Sequence, residues 1–331
     1  MANIHLTLAT EDYDHIRDIA TGVVRANGID ITHLRYSVEE IFYRFSNAME
    51  WDVSELSFGK FCSVQSQPNP PFTGIPVFIS RIFRQSAFYV RSDGSVKRPE
   101  DMKGKRIGIP EWSQTATIYA RGWMVHQVGI PLKDVTWVQA GVNEPGRVEM
   151  AKLKLPEGVH INVVQEKSLT QMLFDKEIDG FISANPPRAF RQGDPRIQRL
   201  FPDYRPVEEA YFKETGVFPI MHTVAIRGDV FQRHPWVAMN LLTAFEEAKN
   251  RSMERVKAIT MSQIPVPWGW EHAERAGKMV FGGTDYWPYG IEPNRVTIEA
   301  FLQFCHEQGV CHRRLAPEEL YPREVQSVFR I

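Results

Sequence analysis

The sequence predicts an α/β protein of two lobes around a central cleft, on three observations. Strand-like and helix-like runs alternate from Ile4 to Phe58, and the same alternation resumes after Ala87. A Pro-rich stretch (Pro68, Pro70, Pro71, Pro76) separates the two series. At 331 residues the chain also exceeds one ordinary domain and suits either two lobes or one large α/β fold.

The elements follow in order. Ile4 to Ala9 reads as a first strand, and Thr10-Glu11-Asp12-Tyr13-Asp14 as an acidic turn. Ile16, Ile19, Ala20, Val23 and Val24 keep helical spacing, with Gly28 as the stop. Ile29-Asp30-Ile31 is extended, Ser37-Val38-Glu39-Glu40 is a capping box ahead of Ile41, Phe42, Phe45 and Met49, and Val53 to Phe58 is the next strand. In the second series, Ala87 to Val90 and Arg106 to Ile109 are strands. A helix from about Gln114 to Val128 stops at Gly129, and Val135 to Gln139 is extended. Ser168-Leu169-Thr170-Gln171 offers another capping box, Ile178 to Ile182 a short buried strand, and Phe218 to Ala225 an extended run. From Pro235, a favourable first helical residue, the chain is mostly helical.

Composition narrows the function. Hydrophobic residues at 43% and charged residues at 24% describe a compact globule. A formal charge of −1 provides no global field toward nucleic acid or an anionic membrane, so neither is an expected partner. Arg supplies 26 of the 39 basic residues, a bias toward the fork that holds carboxylates bidentately. Cys62, Cys305 and Cys311 form no even set and no C-x-x-C, and the opening Met1 to Leu8 reads as a strand rather than a leader. The expected compartment is the cytoplasm. A homo-oligomer is compatible with the sequence, which does not set the oligomeric state.

Candidate chemistry sits on loops after strands. Arg106 to Ile109 leads into Pro110-Glu111-Trp112-Ser113-Gln114-Thr115, with Ser113 as the expected N-cap of a helix whose free N–H groups could hold an anion. Arg81, Arg84 and Arg147 are the arginines expected near the cleft. His222 lies in an apolar extended run, where it is either a hydrogen-bonded core residue or an acid/base. The turn Asp12-Tyr13-Asp14-His15 follows the first strand, and helix capping by Asp12 or Asp14 is its alternative reading. Cys305-His306 and Cys311-His312 read as structural, because adjacent residues on a helix diverge and no second pair completes four ligands. No metal site or cofactor is therefore expected, though a divalent ion remains compatible. No P-loop, G-x-G-x-x-G, H-E-x-x-H or G-x-S-x-G occurs. Trp287-Pro288-Tyr289-Gly290 and Trp268-Gly269-Trp270 can wall an aromatic site or simply pack.

Ser80-Arg81-x-Phe83-Arg84, Glu144-Pro145-Gly146-Arg147, Glu177-Ile178-Asp179, Gly216 to His222 and Trp287-Pro288-Tyr289-Gly290-x-x-x-Asn294-Arg295, taken in order, resemble the 4,5-dihydroxyphthalate decarboxylase family. The resemblance runs from the Asp12 turn to Glu318-Glu319-Leu320. It implies a periplasmic-binding-protein-like fold of type II, with residues 1–87 and 221–331 as a discontinuous first lobe and 88–220 as the second. The crossings are expected near Ala87 to Val90 and Ile220 to Ile226. Two positions depart from the family pattern: His15 where Arg is more usual, and Gln85 where His is usual. Either change is compatible with a different phthalate-like substrate.

The implied reaction is non-oxidative removal of one carboxylate from a small aromatic dicarboxylate, 4,5-dihydroxyphthalate, to give 3,4-dihydroxybenzoate. Direct loss of CO₂ would leave an in-plane carbanion that the ring cannot absorb, so the ring carbon is protonated first. His222 is the expected proton donor, with Asp12, Asp14 or His15 as partners of the phenol. Arg81, Arg84, Arg147 and the Ser113, Gln114 and Thr115 helix start are expected to hold the carboxylates, beside Tyr13. Two other readings are a cytosolic aromatic-carboxylate binding or sensor protein without catalysis, and a metal-assisted decarboxylase.

Overall fold

A computed structural model describes residues 2–283 and 285–327. The chain begins with β1 (Ile4–Thr10), the single-turn α1 (Arg17–Ala20), β2 (Ile29–Arg35), α2 (Val38–Ala48), β3 (Val53–Ser57), α3 (Phe58–Gln65) and β4 (Phe72–Arg81). It continues with β5 (Phe88–Arg91), β6 (Arg106–Ile109), α4 (Thr115–Trp123), β7 (Thr136–Gln139), β8 (Ile161–Val163), α5 (Leu169–Phe174), β9 (Gly180–Ile182), α6 (Arg188–Arg191), β10 (Ile197–Arg199) and α7 (Arg205–Thr215). It closes with β11 (Ile220–Arg227), α8 (Gly228–Arg233), α9 (Val237–Lys257), α10 (Gly269–Arg275) and α11 (Arg295–Glu307).

Two sheets result, ordered β2-β1-β3-β11-β4 and β10-β5-β9-β6-β7-β8. The first is parallel through β1, β2 and β3, with β11 antiparallel to both β3 and β4. The second is parallel from β9 through β8, with β5 and β10 running as an antiparallel margin. The chain leaves the first sheet after Arg81, enters the second at Phe88, and returns between Arg199 and Ile220. Residues 88–91 and 220–227 are thus sheet members, and the connecting segments precede them.

The capping boxes form as the sequence predicts: Ser37 accepts from the N–H of Glu40 and Ser168 from that of Gln171. Gly129, at φ 78°, terminates the helical run from α4. Three expectations are corrected. The first helix stops after one turn because Gly22 takes φ 73° and Val24 N–H turns back to the carbonyl of Asp18. Pro76 lies inside a strand, since β4 is a sheet edge and its register against β11 shifts around that position. The N-cap of α4 is Gln114, not Ser113, and it makes no side-chain capping bond.

The main core passes through both lobes. Phe301 of α11 stacks between Phe58 of α3 (4.9 Å) and Tyr119 of α4 (4.5 Å), so an aromatic ladder joins the lobes on one side. Arg121, fully buried under Trp112 (3.8 Å), binds the Gln308 side chain just past α11. Cys62, Cys305 and Cys311 are buried and unpaired. Among the described residues no helix is long and apolar enough to cross a membrane.

Candidate active site

The junction of β3 with α3 meets the loop and helix start that follow β6 across the lobes. Thr115 Oγ1 accepts from Gly59 N–H (2.9 Å) and lies 3.0 Å from Ser57 Oγ. A Cβ on residue 59 would come within 2.6 Å of the Ser113 carbonyl, so this close approach requires glycine. Lys60 of α3 reaches Glu111 in the loop after β6 (3.3 Å).

Beside this contact lies a buried acid. Strand β3, Val53-Ser54-Glu55-Leu56-Ser57, is buried at every position because β1 and β11 flank it. Glu55 is fully buried, and its Oε1 accepts from Tyr13 O–H (2.6 Å) and from His222 Nδ1 (2.6 Å), while Oε2 accepts from Glu11 N–H (2.9 Å). A carboxylate can only accept, so Nδ1 of His222 carries a proton and Nε2 is left as the ring's exchangeable position. His222 keeps 17% of its side chain exposed where Glu55 has none, and Phe42 of α2 meets its ring edge-on at 5.0 Å. Burial, the Glu55 charge and the hydrogen bond to it together push the Tyr13 phenol far above its ordinary value, so it remains a donor.

His15 lies next to Tyr13 (ring centroids 5.2 Å) and Trp287 (5.7 Å). Its Nε2 must donate to the Ile79 carbonyl (2.9 Å), which leaves Nδ1 as a bare acceptor. Burial pushes its pKa down to about 4 from an ordinary 6.5, and the Ile79 bond and the nearby acids only partly oppose this. The unfolded chain therefore takes up this proton below about pH 6.5, whereas the folded chain does so only near pH 4. The contribution of His15 to stability is full above pH 6.5 and is lost as the pH falls through that window. His15→Gln is expected to flatten the acid limb of stability between pH 6.5 and 4 in denaturant titrations; an unchanged slope would assign that limb to other groups.

The arginines occupy different surroundings. Arg81 is buried and donates to the Phe218 carbonyl (2.7 Å), Asn294 Oδ1 (2.7 Å) and the Pro288 carbonyl (3.3 Å). Arg84 meets the Ala184 carbonyl (3.2 Å) and Met221 Sδ (2.8 Å). Neither has a carboxylate partner among the described residues, and burial lowers them to about 9 and about 10. Arg147 is half-exposed and pairs with Glu111 (Nε–Oε1 2.7 Å).

Other expected site residues lie apart from this cluster. Asp12 points outward to Arg35 (2.7 Å), and Asp14 is taken up by Ser252 (2.6 Å) and Arg255 (3.0 Å) of α9. Successive residues of the turn point in different directions, so Tyr13 and His15 face the cluster while the two aspartates do not. The helix start is likewise occupied. Glu149 Oε2 accepts from the N–H groups of Trp112 (2.6 Å) and Ser113 (3.1 Å), and Oε1 from the Ser113 hydroxyl. Gln114 Oε1 is buried without a partner among the described residues. Among the described residues no group of three His, Cys, Asp or Glu side chains could hold a metal ion. Sequence reasoning missed Glu55, Glu111 and Glu149; for Glu55 the available signal was one acid in an otherwise strand-forming, non-ionic run.

Comparison with known proteins supplies further findings. Residues 73–151 match the profile of NMT1/THI5-like proteins. The chain is 34% identical over 333 residues to the 4,5-dihydroxyphthalate decarboxylase of Comamonas testosteroni, covering all of both chains. It is 35% identical over 204 residues to the enzyme of that name from Pseudomonas putida, covering 61% of this chain and 79% of the relative. In fold it is similar to the periplasmic aliphatic sulphonate-binding protein SsuA of Escherichia coli, with TM-score 0.53, 10% identity and 97% of each chain covered.

Proposed function

The chain belongs to the 4,5-dihydroxyphthalate decarboxylase family, and on that footing we propose that it removes one carboxylate from 4,5-dihydroxyphthalate, giving 3,4-dihydroxybenzoate and CO₂. The fold is the two-lobed, type II periplasmic-binding-protein-like one. The observation that carries the chemical reading is the buried Glu55 holding His222 by Nδ1, with no hydrogen bond to Nε2 among the described residues.

Each ring carbon that bears a carboxylate is para to one hydroxyl. When a base draws the proton of that hydroxyl, electron density rises at the carbon an acid must reach. The imidazolium of His222 donates its Nε2 proton to this carbon, and the C–C bond to the carboxylate then breaks, its electron pair restoring the aromatic ring as CO₂ departs. Glu55 balances the imidazolium charge and fixes the ring, as a buried carboxylate does for a general-base histidine elsewhere. His15, neutral with Nδ1 as acceptor, is the residue we place at the phenol; Tyr13 remains protonated and positions Glu55. One proton is consumed from solvent per turnover, which recharges His222.

Arg81 and Arg84, buried and with no carboxylate in salt-bridge contact among the described residues, favour a dianionic ligand near them. Arg147 would engage the substrate by exchanging its pairing with Glu111. The unpaired buried cysteines support a reducing compartment, so the proposed location is the cytoplasm.

The reading is tested by CO₂ release from a panel of hydroxyphthalates. Turnover of 4,5-dihydroxyphthalate is expected, and tight binding without CO₂ would point instead to a binding or sensor protein. Activity is expected to survive exhaustive chelation. Loss that a single divalent ion reverses would replace this scheme with a metal-assisted one.

A further inference from the structure

The pairing of β11 with β4 brings one further side chain to the proton donor. From Ile220 to Ile226 every residue of β11 is buried except His222, and from Gly74 to Arg81 every residue of β4 is buried except Ser80. The two exceptions are opposite each other. His222 pairs with Ser80 on one side and with Ser57 of β3 on the other, and the register of β11 against β4 shifts on both sides of His222. Residues directly opposite across two strands stand on the same face, with Cβ atoms roughly 4.5–5.5 Å apart, and a bulge re-aims the side chain it carries. The opening over this otherwise buried stretch is therefore shared by His222 and Ser80.

The orientation of the imidazole decides which serine matters. Glu55 of β3 holds Nδ1, so Nε2 lies at the tip of the ring on its other side, toward β4. On the β3 side the Ser57 hydroxyl is already engaged with Thr115 (3.0 Å). Ser80 stands near the Tyr13 phenol and opposes, in small part, the upward push that burial and Glu55 exert on it. Tyr13 directs its only proton to Glu55, so toward Ser80 it can only accept. The Ser80 hydroxyl is thus a donor beside Nε2 whose neighbour is a neutral oxygen, and an ionised carboxylate is roughly twice as strong a partner.

We propose that Ser80 donates a hydrogen bond to the departing carboxylate of the substrate, an inference that rests on the decarboxylation proposed above. The ring carbon that takes the Nε2 proton is the one that bears this carboxylate, so both are brought to the β4 side together. A neutral hydroxyl suits the position. The group loses its charge as it becomes CO₂, and a cation paired with it would stabilise the ground state more than the transition state.

Calorimetric binding to the intact protein tests this with two ligands. Phthalate keeps both carboxylates but has no hydroxyl para to either, so it is not turned over; 3,4-dihydroxybenzoate, the product, lacks the departing carboxylate. Ser80→Ala is expected to weaken phthalate about tenfold, the size of a hydrogen bond to a charged group, and to leave 3,4-dihydroxybenzoate within about twofold. Ser80→Thr, which keeps the hydroxyl on a strand-forming residue, is expected to bind phthalate within about threefold of the unaltered protein. Unchanged phthalate affinity in Ser80→Ala overturns the proposal. So does an equal loss for both ligands, which would mean that Ser80 acts through the shape of the site. Neither measurement involves turnover, so a protein that shows the expected contrast and yet releases no CO₂ from 4,5-dihydroxyphthalate would refute the proposed activity and not the contact.

Discussion

His222→Asn is expected to lower kcat by at least about 100-fold while ligand affinity stays within about tenfold, because asparagine fills similar space and retains a hydrogen-bonding group but cannot deliver a proton near neutral pH. Glu55→Gln is expected to follow it. The amide matches the carboxylate in size but cannot balance an imidazolium, and its NH₂ group opposes donors already aimed at it from Glu11, Tyr13 and His222. Loss of a comparable 10²–10⁴-fold is the magnitude general acid/base work supplies. Because the two residues act through one proton, combining the substitutions is expected to cost scarcely more than either alone. Stopped-flow measurement of CO₂ release checks all three variants. Near-normal kcat in His222→Asn would remove this histidine from the mechanism, and multiplicative losses in the double variant would mean that Glu55 acts elsewhere.

Arg81→Met is expected to have the largest effect on the fold. The guanidinium ties the end of β4 to Phe218, which precedes β11, and to Pro288 and Asn294, which precede α11. It also lies over the Phe218 ring at 4.2 Å. Methionine retains the packing but leaves the Phe218 carbonyl and Asn294 Oδ1 without the guanidinium donor, while the Pro288 carbonyl keeps its bond from Asn294 Nδ2 (3.0 Å). With each charged hydrogen bond worth about 1.5–3 kcal/mol, and some of that returned because a buried unpaired charge is also removed, the net cost is about 3–5 kcal/mol. Thermal unfolding should then shift downward by roughly 4–7 °C for a chain of this length. Lysine should restore little, since a point charge cannot serve three acceptors arranged around a planar fork. A melting temperature within about 2 °C of the unaltered protein would show that these bonds are replaced by water at no cost.

Much of this architecture can be read from the sequence because its signals are local. Strands such as Arg106 to Ile109, the caps at Ser37 and Ser168 and the stop at Gly129 depend on neighbours within a few residues. Where the reading departs from the structure, distant residues decide. Ser113 has the chemistry of an anion site, but Glu149, 36 residues further on, supplies the anion. Asp14 has the placement of a catalytic acid, but Arg255 of α9, 241 residues away, captures it. Glu55 shows the same limit from the other side. An acid in a strand acquires meaning only when β11 lies antiparallel to β3 and brings His222 within reach. The resemblance to a known family supplied the reaction and the fold, but only the packing distinguishes Tyr13 and His15 from the aspartates between and beside them.

The measurement that tests the central claim most directly is turnover of 4,5-dihydroxyphthalate in D₂O, with the product analysed by NMR. If His222, recharged from solvent, protonates the ring carbon as the carboxylate leaves, the 3,4-dihydroxybenzoate carries one deuterium at the vacated position, one CO₂ appears per product, and both signals vanish together in His222→Asn. Unchanged substrate, or deuterated product formed at the normal rate by His222→Asn, would contradict the account.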